Sequence, residues 1–373
     1  MGKTGIITIV NGNNYGNVLQ NYALQKALKK LGYDSETIDR VSSNSGSSFF
    51  YNFRIFLSTV FRKLTRKPLY SVNRIVNFRR FRKKYIKYSK FRAGKCFPKT
   101  KEKEYDTFIF GSDQIWNLRF EFVCKERDIF FGKFTSKDKK ISYASSFGTS
   151  FVPDEYSKYV QNCLKDFRSI SVREYAGKDI CSKFGIKSET VPDPTLLLSA
   201  EQWRKIEKCP QNCKSKKYLL TYFLGEVSDG IKQEISQYAQ NNGLEIVNIN
   251  NSFKYCTTRQ DMEHFSDAPD EFLWLIDHCT SFVTDSFHGT VFSLIFRKPF
   301  QVIERVANEE NNNMNSRLTT LLGIFNESKR LDSERIIADF LQNPPDREAT
   351  AIQGRLRKQG FQYLQAQLPK GVS

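Results

Sequence analysis

The sequence predicts an α/β protein of two Rossmann-like, doubly wound domains facing across a cleft, with a basic amphipathic helical insertion in the first domain. Three observations predict it. Short apolar, β-prone runs alternate with segments of helical periodicity, the pattern of parallel sheets covered by helices on both faces. The alternation is interrupted at "VPDPTLLL" (191–198) and then begins again. The 373 residues are enough for two domains of ordinary size, each with its own core. The expected boundaries are 1–195 for the first domain, with the insertion over about 40–103, then 196–345 for the second. Residues 346–373 are expected to form a terminal helix that packs back on the first domain.

In the first half, "GIITIV" (5–10) reads as a buried strand followed by the loop "NGNNYGN". Val18, Leu19, Tyr22, Ala23, Leu28 and Leu31 then mark one face of a helix that Gly32 ends. "SETID" (35–39) is the next strand. Beyond the insertion, strands are expected at "DTFIF" (106–110), "KISYASSFG" (140–148), "SISVRE" (169–174) and near Val191, with helices from about Asp154 and just before Val191. The second half opens with strands at "KYLLTYFLG" (217–225) and "GLEIVNI" (243–249). It continues with the helix "DEFLWLIDHC" (270–279), the strand "SFVTD" (281–285), a helix after His288, the strand "FQVIE" (300–304) and the helix "SRLTTLLG" (316–323). Asp346, behind Pro344 and Pro345, can cap the terminal helix, which carries Ile352, Leu356, Phe361 and Leu364 on one side.

Charge is concentrated in one place. From Arg40 to Lys101 there are 18 Lys or Arg and no Asp or Glu, while the whole chain has 58 against 40, so the remainder balances at 40 and 40. The net charge of +18 therefore lies in a segment that also contains "SFFYNFRIFLSTVFRKL" (48–64) and "NRIVNFRRFRKKYIKYSKF" (73–91), both expected to be helices with one apolar and one basic face. Such a segment attracts polyanions. Rows of Phe, Ile, Leu and Tyr beside the charge favour an anionic membrane surface, where apolar side chains can insert. A nucleic-acid-binding protein is the alternative, but the electrically balanced remainder argues against it, and no specific nucleic acid is expected. No run approaches the roughly 18 apolar residues of a spanning helix, and the first ten residues are too short for a signal peptide. A cytoplasmic protein peripherally associated with the inner face of the cytoplasmic membrane is expected. The cysteines (96, 124, 163, 181, 209, 213, 256 and 279) are irregularly spaced; only Cys209 and Cys213 are close, no second ligand pair is near, and free thiols are expected.

Candidate site residues fall at strand ends, where ligands bind in open α/β sheets. In "DSFHGTVFSLIFRKPF" (285–300), a histidine lies where a strand gives way to a helix. The loop after the first strand holds Asn14, Gly16 and Asn17 at a helix N-terminus, where N–H groups and the helix dipole favour an anion. Its spacing matches neither a dinucleotide fingerprint nor a P-loop, and a tight turn fits equally well. "FGSDQIWN" (110–117) leaves another strand with Ser112, Asp113, Gln114 and Asn117 around Trp116, as a polar site or a capped turn.

"NYGNVLQNYALQ", "GSDQIWN", "SYASSFG", "SVRE", "VPDPTLLL", "DSFHGTVFSLIFRKPF" and "NSRLTTLLG" occur in this order, and together they resemble the polysaccharide pyruvyl transferase family. The resemblance implies a GT-B-like fold and transfer of a pyruvyl group from phosphoenolpyruvate to a sugar as a cyclic ketal. It also implies an acceptor in a surface glycan, carried on a polyprenyl diphosphate. His288 matches the family's motif histidine and Arg173 the arginine of its "SVR" motif, both implied to contact or activate phosphoenolpyruvate, with Ser286 and Gly289 beside the histidine. A third basic group is implied after that motif. Lys298, Arg305 and Arg317 compete for it, and Arg317 is favoured because "NSR" starts a helix and can aim a guanidinium across its N-terminus.

The chemistry suits these residue types. A planar guanidinium can make paired hydrogen bonds to carboxylate or phosphate, and an imidazole changes charge near neutral pH, so His288 can serve as acid or base. Asp113 and Asp285 are the expected bases, while His264 and His278 read as structural. The scheme needs no cofactor and no metal, phosphoenolpyruvate being a substrate. The rival enzyme reading is a GT-B glycosyltransferase of polysaccharide synthesis, weakened by the lack of an Asp-x-Asp pair. An inactive scaffold is the third reading, opposed by the retention of His288 and Arg173.

Overall fold

The structure is a computed structural model and describes residues 3–10, 12–40, 70–94, 96–211, 217–250, 268–304, 316–332 and 334–369. The chain divides into two compact units, Met1–Leu197 with Gln359–Ser373, and Leu198–Lys358. The boundary between residues 197 and 198 falls inside "VPDPTLLL".

The first unit is built on a parallel sheet of β1 (Lys3–Ile7), β2 (Asp34–Arg40), β3 (Tyr88–Ala93), β4 (Thr107–Phe110) and β5 (Lys140–Ser142) in the order β3-β2-β1-β4-β5. Bridges Ile141–Ser169 and Ser145–Val172 extend it toward the short parallel pair β6 (Ser171–Val172) and β7 (Glu189–Thr190). The strand order reverses between β1 and β4, the topological switch of a doubly wound sheet. Buried Ile6, Ile109 and Ile141 meet one helical layer, and Ile7, Phe108 and Phe110 meet the other, following the two-residue alternation of a strand. Helix α1 (Tyr15–Lys30) starts at Asn14, whose side chain accepts from the Asn17 N–H at 3.2 Å, and its chain reverses at Gly32 with φ of 87°.

The second unit repeats the design with β8 (Tyr218–Phe223), β9 (Glu245–Asn250), β10 (Ser281–Thr284), β11 (Phe300–Ile303) and β12 (Leu331–Asp332), all parallel, in the order β12-β11-β10-β8-β9. Here the order reverses between β8 and β10. Both sheets are therefore Rossmann-like, and the fold is of the GT-B type. Only the first three residues of "KISYASSFG" form a strand; beyond them Ala144 takes φ of 51° and the serines turn to neighbouring loops.

The basic segment departs from the expectation of two helices. Helix α2 (Tyr70–Tyr85) is present, but "KYSKF" continues as β3, an edge strand paired with β2. A β-prone Tyr–Ser–Lys–Phe run beside an unpaired strand edge satisfies its backbone there. The apolar side of α2 is already covered: Phe78 and Phe81 are buried, with Tyr15–Phe78 centroids at 5.1 Å and Tyr22–Phe81 at 6.3 Å across to α1. That face is not offered to a bilayer. Arg79, Arg80, Lys83 and Lys84 are exposed on the other side. Two further cations of α2 act locally, Arg74 donating to the Asn13 carbonyl at 2.5 Å and Arg82 to the Gly12 carbonyl. The expected helix over 48–64 lies outside the described residues, as do His264, Arg305, Cys213 and Cys256. Cys96, Cys124, Cys163, Cys181, Cys209 and Cys279 are free thiols.

The terminal helix α3 (Glu348–Gln367) begins after Asp346, which accepts from the Glu348 N–H at 2.8 Å, and its Tyr363, Leu364 and Leu368 end join the core around Ile6, Leu24 and Ile141. Gly360 makes that approach possible, since a Cβ there would lie 2.5 Å from both Leu197 Cδ2 and the Tyr143 hydroxyl. Gly354 of the same helix has open space around it. Thermal unfolding should separate the two: Gly354→Ala is expected to stabilise by about 1 kcal/mol through helix propensity, and Gly360→Ala to destabilise by about 1–3 kcal/mol through overpacking.

Candidate functional site

In the second unit, β10 ends at Thr284 and the chain enters helix α4 (Phe287–Phe296) through Asp285 and Ser286. Thr284 Oγ1 donates to the Tyr222 carbonyl at 2.6 Å and accepts from the Ser286 N–H at 3.0 Å, fixing the turn to the end of β8. Ser286 caps the helix, accepting from the Gly289 N–H at 3.3 Å. Gly289 is required by close packing, because a Cβ would meet Thr284 Oγ1 at 2.9 Å and the Phe282 ring at 3.2 Å. These two residues thus build the helix start. His288 lies in its first turn, within the helix and not before it, and is buried.

Phe287 stands beside it, the two rings edge to face with centroids 5.2 Å apart. On the same Phe287 ring, 5.9 Å from its centroid, lies the guanidinium carbon of Arg317, the buried second residue of a helix spanning Ser316–Ile324. The structure therefore gathers an imidazole, a guanidinium and a helix N-terminus with no acidic residue in its first turn, at the carboxyl end of β10 beside the switch point. Such a place favours an anion. Of the other two competing cations, Lys298 lies beyond the far end of α4, whereas Arg305 is outside the described residues. The two carboxylate oxygens of Asp285 accept from the Leu224 N–H at 2.7 Å and the Gly225 N–H at 2.6 Å, pinning the loop after β8.

In the first unit, the residues after β4 and β6 form a buried polar cluster. Arg173, expected at the substrate, has its guanidinium among three carboxylates, Asp193 at 2.7 Å, Asp113 at 3.5 Å and Glu174 at 3.8 Å. Burial disfavours its charge, but Asp193, then Asp113 and Glu174, outweigh that and hold the guanidinium protonated beyond its usual range. With three carboxylates around one cation, an anionic substrate would meet repulsion. Arg173 thus ties together the loops that carry Asp113, Glu174 and Asp193.

Ser112 is fully buried and donates to Asp193 at 3.0 Å, and Asn117 donates to Gln114 at 2.8 Å, both of that pair also buried. Asp113 has φ of 73°, a left-handed conformation uncommon outside glycine. Gly16 is buried in the first turn of α1, while Asn14 and Asn17 are half-buried at its rim. The residue that sequence reasoning missed is Asp193. It accepts from Arg173, Ser112, the Thr195 N–H at 3.0 Å and the Thr195 hydroxyl at 2.7 Å. A carboxylate between two prolines inside an apolar run was the available signal.

Residues 14–305 match the family described as polysaccharide pyruvyl transferase. The chain belongs to that family. No curated relative matches its sequence. Among solved structures, a Listeria monocytogenes protein assigned as a UDP-N-acetylglucosamine 2-epimerase is similar in fold, with a TM-score of 0.50 at 8% identity over 96% of this chain and 90% of its own. The UDP-GlcNAc 2-epimerase of Methanocaldococcus jannaschii gives 0.48 at 12% identity over 98% and 99%. The ADP-heptose lipopolysaccharide heptosyltransferase II of Escherichia coli gives 0.40 at 11% over 96% and 99%.

For this pyruvyl transferase family member, one group of possible metal ligands occurs among the described residues. Glu207, Asp277 and His278 bring ligand atoms within 4.8 Å of one another. They lie before β10, at the opposite end of the sheet from His288, and Asp277 already accepts from Arg204 Nε at 2.7 Å and Nη2 at 2.9 Å. His278, read as structural, stacks on Trp274 with centroids 4.2 Å apart.

The two roles of Arg173 differ in stability. Arg173→Met leaves buried carboxylates without their cation and is expected to cost about 3–5 kcal/mol in urea unfolding. A variant with unchanged stability and lost activity would return Arg173 to the substrate.

Proposed function

We propose that this protein transfers the pyruvyl group of phosphoenolpyruvate to two hydroxyls of one sugar in a surface-polysaccharide precursor, forming a cyclic ketal and releasing phosphate. Family membership supports the reaction class. The observation that carries the residue assignment is the placing of His288 and Arg317 on one aromatic ring at the start of a helix. Arg317 holds the carboxylate or phosphate of the donor in its planar fork. His288 gives a proton to the methylene carbon, making the methyl group and leaving the neighbouring carbon cationic. The first hydroxyl oxygen bonds to that carbon, phosphate departs with the electron pair of its C–O bond, and the second hydroxyl oxygen bonds in its place. Of the two protons the hydroxyls release, one restores His288 and the other leaves with phosphate.

Asn14 and Asn17, at the rim of the first unit, are assigned to sugar hydroxyls of the acceptor. The acceptor is carried on a polyprenyl diphosphate at the inner face of the cytoplasmic membrane. The composition of residues 41–69, basic, aromatic and without a carboxylate, supports that location. No helix among the described residues is long and apolar enough to cross a membrane.

Phosphate release from phosphoenolpyruvate in the presence of lipid-linked oligosaccharide tests the reading, with the pyruvyl ketal detected by mass. His288→Gln should keep its circular dichroism and lose roughly 100-fold or more in turnover, the range for a general acid. Arg317→Gln should chiefly raise KM for phosphoenolpyruvate, by about tenfold or more, if it holds the donor equally in ground and transition states. Near-normal turnover in His288→Gln would require another acid.

A further inference from the structure

At the start of β10, two stretches of the second unit bring three side chains together: Glu207, which follows the helix Ala200–Arg204, and Asp277 with His278 at the end of the helix Pro269–His278. Each offers one ligand atom, and these atoms lie within 4.8 Å of one another. Zinc binds carboxylate oxygen and imidazole nitrogen at about 2.0–2.2 Å. Small rotations of these side chains, none of which is fully buried, bring all three atoms onto one ion. The last turn of a helix carries the negative end of its dipole, which also favours a cation there.

The bonds around the group hold its members in the form that a metal needs. His278 Nδ1 lies 3.0 Å from the Trp274 carbonyl oxygen, which can only accept, so Nδ1 carries the proton. The neutral ring then keeps its lone pair on Nε2, the tautomer in which a second-shell carbonyl supports a ligating imidazole. Stacking on Trp274 at an interplanar angle of 11° fixes the ring plane. Arg204 takes one lone pair on each Asp277 oxygen and orients that carboxylate, while each oxygen keeps a second acceptor site. Glu207 supplies the observation that asks for a ligand. Its Oε2 is buried and has no hydrogen-bond partner among the described residues, an arrangement that buried polar atoms rarely keep.

We propose that Glu207, Asp277 and His278 bind one zinc ion. The imidazole selects zinc over magnesium and calcium, which take oxygen ligands. His278 is exposed, so water can fill the fourth position of a tetrahedral set. The bound ion ties the segment after Arg204 to the last turn of the helix Pro269–His278. The site lies away from His288, and neither it nor its test depends on pyruvyl transfer.

Calorimetric titration of the chelator-treated full chain with zinc chloride, and separately with magnesium chloride, reads the site directly. Because free thiols also bind zinc, the titration is repeated after alkylation of the accessible cysteines under native conditions. Zinc is expected to bind at one equivalent in both forms, more tightly than magnesium, and to raise the melting temperature as its concentration rises. Glu207→Gln and His278→Gln should each weaken zinc binding at least tenfold and lose the thermal shift, with the circular dichroism of the metal-free protein unchanged. If Glu207→Gln fails to fold, the exposed His278→Gln decides alone. Absence of zinc binding to the wild type, or zinc binding as tight in His278→Gln as in the wild type, would overturn the proposal. Binding that alkylation abolishes would overturn it too, assigning the metal to cysteines.

Discussion

The buried charge of Arg173 is the constraint on which the carboxyl edge of the first sheet depends. Its guanidinium draws together Asp113 after β4, Glu174 after β6 and Asp193 at the end of the unit. Each carboxylate then fixes something else: Glu174 accepts from the Ser146 hydroxyl and the Phe147 N–H, and Asp193 from Ser112 and Thr195. Removing these charges from water is costly, and their opposite signs, held close together, offset that cost. What the cluster supplies is a single relative placement of four loops.

The second unit solves the same problem with different chemistry. At its switch point the strand-end carboxylate, Asp285, accepts from two backbone N–H groups of the loop after β8. In both units the acids at the strand ends hold the frame. In the second, His288 and Arg317 both stand against the Phe287 ring near the helix start.

Much of this was legible in the sequence. Alternating periodicities located nearly all the strands, because each is a short apolar run between turn residues, and the strand-to-helix passage located His288. Arg317 was expected at the start of a helix, and it is the second residue of the one spanning Ser316–Ile324. The contacts of Arg173 and Asp285 were not legible, since a charged residue at a strand end looks alike in sequence whatever it faces. What each faces is set by Asp193 and by the Leu224 and Gly225 amides, whose proximity only the fold creates. The strand β3 was hidden for a related reason: its Lys and Arg residues continue the basic pattern of α2, and only pairing with β2 separates them.

The contacts of Arg74 and Arg82 change how the basic segment should be understood. Both guanidinium groups are directed at main-chain carbonyls of Gly12 and Asn13, in the turn that leads from β1 into α1. With those carbonyls turned toward α2, the turn is tied to a helix that lies more than fifty residues further along the chain. The excess positive charge is therefore not one uniform property. Part of it is internal bracing for a loop beside the sheet's switch point, and only the remainder is an electrostatic signal to the outside. Neutralising the segment as a block would slacken that turn along with any attraction to a partner, so charge on this protein has to be dissected residue by residue.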